Sequence, residues 1–170
     1  MVERTLGLAL NSYDDGQIDL LLFGTNAYQL PAVTLEEIDG YVERVILSSY
    51  KIREATKYAP PLRMLWNKYK GPQKFPVLVI FLTDGGNSDK GDTNEIIREM
   101  SGHPIFVQLV GIRKEEFPYL NELPGRVLDN AGFMQVQDID SIKDAQLYNQ
   151  LLNEFPKWLV QVKQRGLIPR

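Results

Sequence analysis

Apolar runs and helix-period stripes alternate along nearly the whole chain. The run "FPVLVIFLT" (75–83) is continuous and rich in β-branched residues, which predicts a central strand covered on both faces. "QIDLLLFG" (17–24) predicts a buried strand after the turn "DDG", and "AYQLP" a short partner strand. "HPIFVQLVGI" and "GFMQVQDI" predict two further strands. Between them, "TLEEIDGYVERVI" places Leu35, Ile38, Val42 and Val45 on one helical face, with Thr34 and Glu37 at capping-box spacing. Leu62, Leu65, Trp66 and Tyr69 predict a helix after Pro60 and Pro61. "DTNEIIREMS" predicts another, capped by Asp92 with Glu95 three residues on, and "FPYLNELP" a helical turn. In "DAQLYNQLLNEFPKWLVQVKQRG", Leu147, Leu151, Trp158 and Val162 share a face, and Pro156 must kink the helix or start a second one.

Strands alternating with helices imply a mostly parallel sheet covered on both faces, and no linker or repeat interrupts the pattern, so residues 1–170 are expected to form one domain. The beginning is irregular. "MVERTLGLALNSY" carries a helical stripe at Val2, Leu6, Ala9 and Tyr13 with no capping residue before it, as if the pattern began in mid-helix.

Composition narrows the function classes. With 44% hydrophobic and 24% charged residues the chain has the profile of a globular domain. A formal charge of −3 provides no basic field, so nucleic acid is not an expected partner. No apolar run approaches the roughly 20 residues that span a bilayer, so no membrane partner is expected either. The absence of cysteine removes thiolate chemistry and agrees with a cytoplasmic setting.

The candidate chemistry lies in "FLTDGGNSD" (81–89). In open parallel sheets ligands bind beyond the carboxyl ends of the strands, where Asp84 stands, followed by Gly85 and Gly86. On its own an Asp-Gly pair is better explained by a plain turn. By the same reasoning Asp14 and Asp15 form a turn, His103 has no acid or nucleophile pattern around it, Trp66 and Trp158 are core, and the tail "KQRGLIPR" is solvated.

"TKYAPPLRML" (56–65), "FLTDGG", "FVQLVGI", "GRVLDNAGF" and "LYNQLLNEFPKWL" together resemble the von Willebrand factor A (vWA) domain, in particular the bacterial branch associated with tellurium resistance and stress response. The resemblance covers nearly the whole chain and implies a three-layer, Rossmann-like α/β fold. It also implies a metal-ion-dependent adhesion site assembled from three loops. In "EATKYAP", Thr56, Tyr58, Ala59 and Pro60 match the family's second loop, although Glu54 and Ala55 stand where glycines are usual. Asp84 matches the third-loop acid. The first-loop pattern, Asp-x-Ser-x-Ser, occurs nowhere in the sequence.

The resemblance therefore assigns Thr56 and Asp84 as metal ligands and Gly85, Asn87 and Asp89 to the adjacent ligand-facing loop. It names Mg²⁺ or Mn²⁺ as the cofactor. Two protein ligands out of about five leave most of the shell to water, so weak or absent binding is expected in this chain. The implied first strand would lie between 17–24 and 75–83, and the sequence reads as lacking it. Those two strands closing up, a strand exchanged within a homodimer, or a longer parent chain would each account for this.

The function expected from the resemblance is a non-enzymatic protein-binding module that takes a partner's acidic side chain. A Mg²⁺-dependent hydrolase or phosphotransferase using Asp84 is the alternative. That chemistry requires a second positioned acid or base, and neither a phosphate-cradling loop nor a carboxylate pair is evident. A degenerate fragment serving as a scaffold is the third reading.

Overall fold

The computed structural model describes residues 17–34, 36–48, 55–112, 118–120, 130–137 and 142–169. Three parallel strands form its central sheet: β5 (Val77–Thr83), β6 (Ile105–Ile112) and β7 (Ala131–Val136), in the order β5-β6-β7. The register pairs Ile80 with Gln108, Thr83 with Gly111, and Gln108 with Gly132. Four short strands precede them: β1 (Gln17–Ile18) pairs antiparallel with β4 (Val33–Thr34), and β2 (Leu21–Phe23) with β3 (Ala27–Gln29). A helix α1 (Val42–Leu47) winds with π spacing. It is followed by α2 (Ala59–Tyr69), α3 (Lys90–Met100), α4 (Asp144–Leu151) and α5 (Phe155–Gln164).

Strand alternation sends successive side chains of the sheet into two different cores. On one face Val79, Phe81, Val107, Leu109 and Ala131 pack with Ala59 and Leu62 of α2 and with Ile96, Ile97 and Met100 of α3. On the other, Val110, Met134 and Val136 meet Leu147 and Leu151 of α4, while Phe106 meets Trp158 and Val162 of α5. Helices on both faces of a parallel sheet make the predicted three-layer α/β fold. β6 is its middle strand, buried from Ile105 to Gly111.

Several sequence expectations are corrected. β5 is long and apolar as predicted, but among the described residues it lies at one end of the sheet order, and β6 takes the central place. "QIDLLLFG" is not one buried strand. Asp19 and Leu20 separate β1 from β2, which belong to different two-stranded ribbons, and β2 remains half-buried. Among the described residues β2 and β5 share no ladder and do not close up into one sheet; Phe23 instead reaches Phe81 through its ring, with centroids 4.6 Å apart.

Thr34 does bond Glu37, Oγ1 donating to Oε2 at 3.1 Å, but this closes a turn after β4 instead of capping a helix. The helical winding starts only at Tyr41, after Gly40 turns the chain with φ 67°. Ile38 and Val45 still join Leu30, Val33 and Tyr41 in a small separate core.

α3 begins at Lys90 with Asp89 at its cap position, so Asp92 lies inside the first turn, where its charge suits the helix dipole but does not cap. Pro156 starts a second helix, and the break puts Leu147 and Leu151 in one cluster and Trp158 and Val162 in another. The tail is not wholly solvated. Gly166 N–H bonds Lys163 O and Leu167 N–H bonds Val162 O, the double closure of a Schellman cap, and Ile168 is thereby buried against Phe106 and Trp158. The predicted first helix, the Asp14–Asp15 turn and most of "GRVLDNAGF" lie outside the described residues.

Candidate functional site at the carboxyl edge of the sheet

β5 delivers Thr83 to the carboxyl edge of the sheet, and the chain then leaves it through Asp84, Gly85 and Gly86. The segment before α2, carrying Thr56 and Tyr58, runs alongside. Asp84 is exposed and Thr56 half-buried. The two loops touch closely enough that a methyl group added at Gly85 would lie 3.7 Å from Thr56 Oγ1. The two residues assigned as ligands thus stand on adjoining loops at one end of β5.

What holds the loops together is a set of bonds between positions far apart in sequence. The carboxylate of Asp89 accepts the backbone N–H of Tyr58 at 2.9 Å and of Ala59 at 3.0 Å. These are donors at the start of α2, which has no side-chain cap of its own. Ser88 donates its N–H (3.0 Å) and its hydroxyl (2.8 Å) to Thr56 O. The Tyr58 hydroxyl donates to Gly85 O at 2.8 Å and lies 3.0 Å from Thr83 Oγ1. Asn87 completes the arrangement, its Nδ2 donating to Thr93 Oγ1 at 2.9 Å and its Oδ1 accepting the Asp89 N–H at 2.9 Å.

Asn87 and Asp89 were assigned to a ligand-facing loop, and the loop is at the expected place. Their side chains, however, turn inward: Asn87 is buried, and both oxygens of Asp89 are occupied by α2. Gly85 contributes its carbonyl to Tyr58. Asp84 and Thr56 are left as the site's outer residues. Thr56 does not cap α2, because Asp89 does so from the other loop. That pairing spans about 30 positions and has no local spacing signature by which it could be recognised.

The electrostatics follow the geometry. Burial pushes the Tyr58 hydroxyl above its ordinary pKa; the bond to Thr83 partly offsets this, and the charges of Asp84 and Asp89 add to it. Tyr58 therefore stays neutral and donates under ordinary conditions.

A hydroxyl and a carboxylate are the hard oxygen donors that Mg²⁺ or Mn²⁺ prefers. Among the described residues no three His, Asp or Glu side chains converge, and the nearby Asp89 is already engaged. Thr56 and Asp84 fit such a cation in donor type, with water supplying most of the shell.

A family model described as vWA-TerF-like, the vWA domain found in the C terminus of TerF, matches residues 1–168. The chain belongs to this vWA family. The YcbR protein of Bacillus subtilis is 34% identical over 175 residues, spanning 99% of this chain and 71% of YcbR. In fold, this vWA domain resembles BatB from Bacteroides thetaiotaomicron, with a TM-score of 0.63 at 17% identity over 92% of this chain and 85% of that one. It also resembles proximal thread matrix protein 1 of the mussel byssus, solved with a zinc-occupied adhesion motif, with a TM-score of 0.58 at 16% identity over 89% of this chain and 39% of that one. No described helix is long and apolar enough to cross a membrane.

Proposed function

We propose that this vWA domain is a non-enzymatic protein-binding module whose contact surface is the carboxyl edge of the sheet around Thr56 and Asp84. The observation that carries the reading is the cross-tied pair of loops. Bonds from Asp89, Ser88 and Tyr58 fix the Thr56 loop against the Asp84 loop, while Asp84 itself stays exposed. A rigid platform with an exposed acid suits recognition, because little order is lost on binding. Mg²⁺ or Mn²⁺ held by Thr56, Asp84 and water would offer an open position to a partner's acidic side chain. The hydrolase alternative is less well supported, since the acid on the same loop, Asp89, caps a helix with both carboxylate oxygens. A place in a tellurium-resistance or stress-response assembly belongs to the same reading, drawn from the TerF-type family to which the chain belongs; a cytoplasmic setting is drawn only from a sequence without cysteine.

The test is a thermal unfolding curve with Mg²⁺, Mn²⁺ or chelator, for the native chain and Asp84→Ala, together with titration of a short peptide carrying a central Glu. A ligand bound only by the native state at ~100 times its Kd adds ~2.7 kcal/mol. The expected result is a metal-dependent rise in midpoint and metal-dependent peptide binding, both lost in Asp84→Ala. Peptide binding that ignores both metal and Asp84, or no binding at all, would remove the platform from this role.

A further inference from the structure

The opposite face of the sheet contains a second polar feature that the carboxyl-edge site does not use. Gln108 lies in the middle of β6 among Phe106, Val107, Leu109 and Val110, and only 2% of it is exposed. A lone amide in a buried strand demands partners. Its Nε2 makes one long bond, 3.4 Å to Leu109 O. Its register partner on β7 is Gly132, the one position of that strand without a side chain to cover it.

The space over this glycine is taken up by two side-chain ends. A Cβ on residue 132 would stand 2.6 Å from Gln108 Oε1 and 3.1 Å from Glu154 Oε2. Two acceptor oxygens, one amide and one carboxylate, therefore converge over Gly132. Glu154 comes from the break between α4 and α5, just before Pro156 restarts the helix. Among the described residues neither Gln108 Oε1 nor Glu154 Oε2 receives a donor. Above them opens a crevice of about 280 Å³, lined also by Gln135, Gln150 and Asn153, with no lysine or arginine among the described residues of its wall.

We infer that this crevice is a binding site for a guanidinium group, held by Glu154 and Gln108 over Gly132. A guanidinium is planar, always charged and carries five N–H donors in a fork, which matches a carboxylate flanked by amide side chains that carry acceptor oxygens. An ammonium concentrates its charge at one point and uses the dispersed acceptors less well. A divalent metal ion would find only one full charge among the lining side chains. The volume suits the head group and part of an aliphatic stem, below the usual range for drug-sized ligands. A small molecule and an arginine side chain of a protein both supply this group, and the recognising chemistry is the same.

Calorimetric titration of the whole chain with Nα-acetyl-arginine amide tests the inference, with the neutral citrulline counterpart as control. Saturable binding of the arginine probe, at least tenfold weaker citrulline binding, and at least a tenfold loss in Glu154→Gln are expected. Gly132→Ala, which obstructs the point of convergence, should lose binding as well. If that variant fails to fold, Glu154→Gln alone decides, because it preserves shape and removes only the charge. Equal binding of both probes, an unchanged titration of Glu154→Gln, or no saturation overturns the site. A peptide with a central arginine that binds tenfold more tightly than the free amide identifies a protein as the source, and equal affinities identify a small molecule. Neither result depends on Asp84, so this site and the carboxyl-edge platform stand or fall separately.

Discussion

The carboxylate of Asp89 receives the backbone N–H of Tyr58 at 2.9 Å, across 31 positions of sequence. The same carboxylate takes the next N–H, that of Ala59, at 3.0 Å. Asp89 occupies the cap position of α3, but its side chain caps α2. One acid thus serves the ends of two helices, and it does so where their loops form the candidate binding platform. Thr93 Oγ1, at 3.0 Å from Asp89 Oδ1, fixes the carboxylate from its own helix.

Asp89→Ala should therefore be more harmful than the loss of an ordinary cap. A cap deletion costs about 0.5–2 kcal/mol, and a partly buried donor left unsatisfied costs about 1–3 kcal/mol. A loss of roughly 2–3 kcal/mol in urea unfolding is expected on that basis, with Asp89→Asn milder because its amide oxygen can still accept one N–H. Equal stability of Asp89→Ala and the native chain would show that the α2 donors find other partners.

Tyr58 is the second tie. Its hydroxyl joins Gly85 O and Thr83 Oγ1, and its ring packs on Phe81 with centroids 4.9 Å apart. Tyr58→Phe keeps the ring and removes the bonds, so about 1–2 kcal/mol should be lost. Amide hydrogen exchange should rise in residues 84–88 more than in β6. Uniform acceleration through the sheet would mean that Tyr58 acts through the core and not through the loop.

Much of this arrangement could be read from the sequence, and the exceptions share a cause. β6, β7 and α2 follow from local apolar patterning and from Pro60 and Pro61 at the first turn. The candidate ligands Thr56 and Asp84 lie on neighbouring loops, as the family resemblance implied. What local pattern misses is set by distant partners. Asp19 divides the run 17–24 because Lys68 and Tyr69 hold its carboxylate, about 50 positions away. Asp89 looked like a loop residue because the helix it caps is equally remote. The single glutamine in "IFVQLVGI" interrupts an apolar run, and the neighbours it meets, Gly132 and Glu154, are likewise set by register and packing that no local pattern displays.

Two buried phenols shape the response to alkali. Burial first, then the nearby charge of Asp89, pushes Tyr119 up to about 12 despite the opposing contacts of Thr93 and Asn87, and Tyr58 is raised for similar reasons. A group whose folded value is raised contributes stability that is complete below its unfolded value, ~10, and is lost as pH rises through the folded value. Stability should therefore decline from about pH 10 upward. Tyr119→Phe should flatten the decline and remove a late step from the ultraviolet titration of tyrosinate. A titration in which all tyrosines ionise together near 10 would contradict the burial argument.

Asp19 contributes to the acid limb. Burial alone would raise its pKa, but the Lys68 ammonium and the Tyr69 hydroxyl, both on Oδ2, outweigh it and hold the carboxyl below its ordinary value. A depressed folded value means that the contribution is present above the unfolded value, ~3.9, and is lost as pH falls through the folded one. Since Lys68 is largely exposed, the ion pair itself should contribute no more than about 1 kcal/mol. The consequence is chiefly architectural, because Asp19 is the link that fastens the segment between β1 and β2 to the end of α2. Asp19→Asn should lower the urea midpoint at about pH 6 and narrow the gap between mutant and native chain at about pH 3, where the native carboxyl begins to protonate. A mutant that stays equally destabilised at both values would assign the link to the neutral Tyr69 bond and not to the charge.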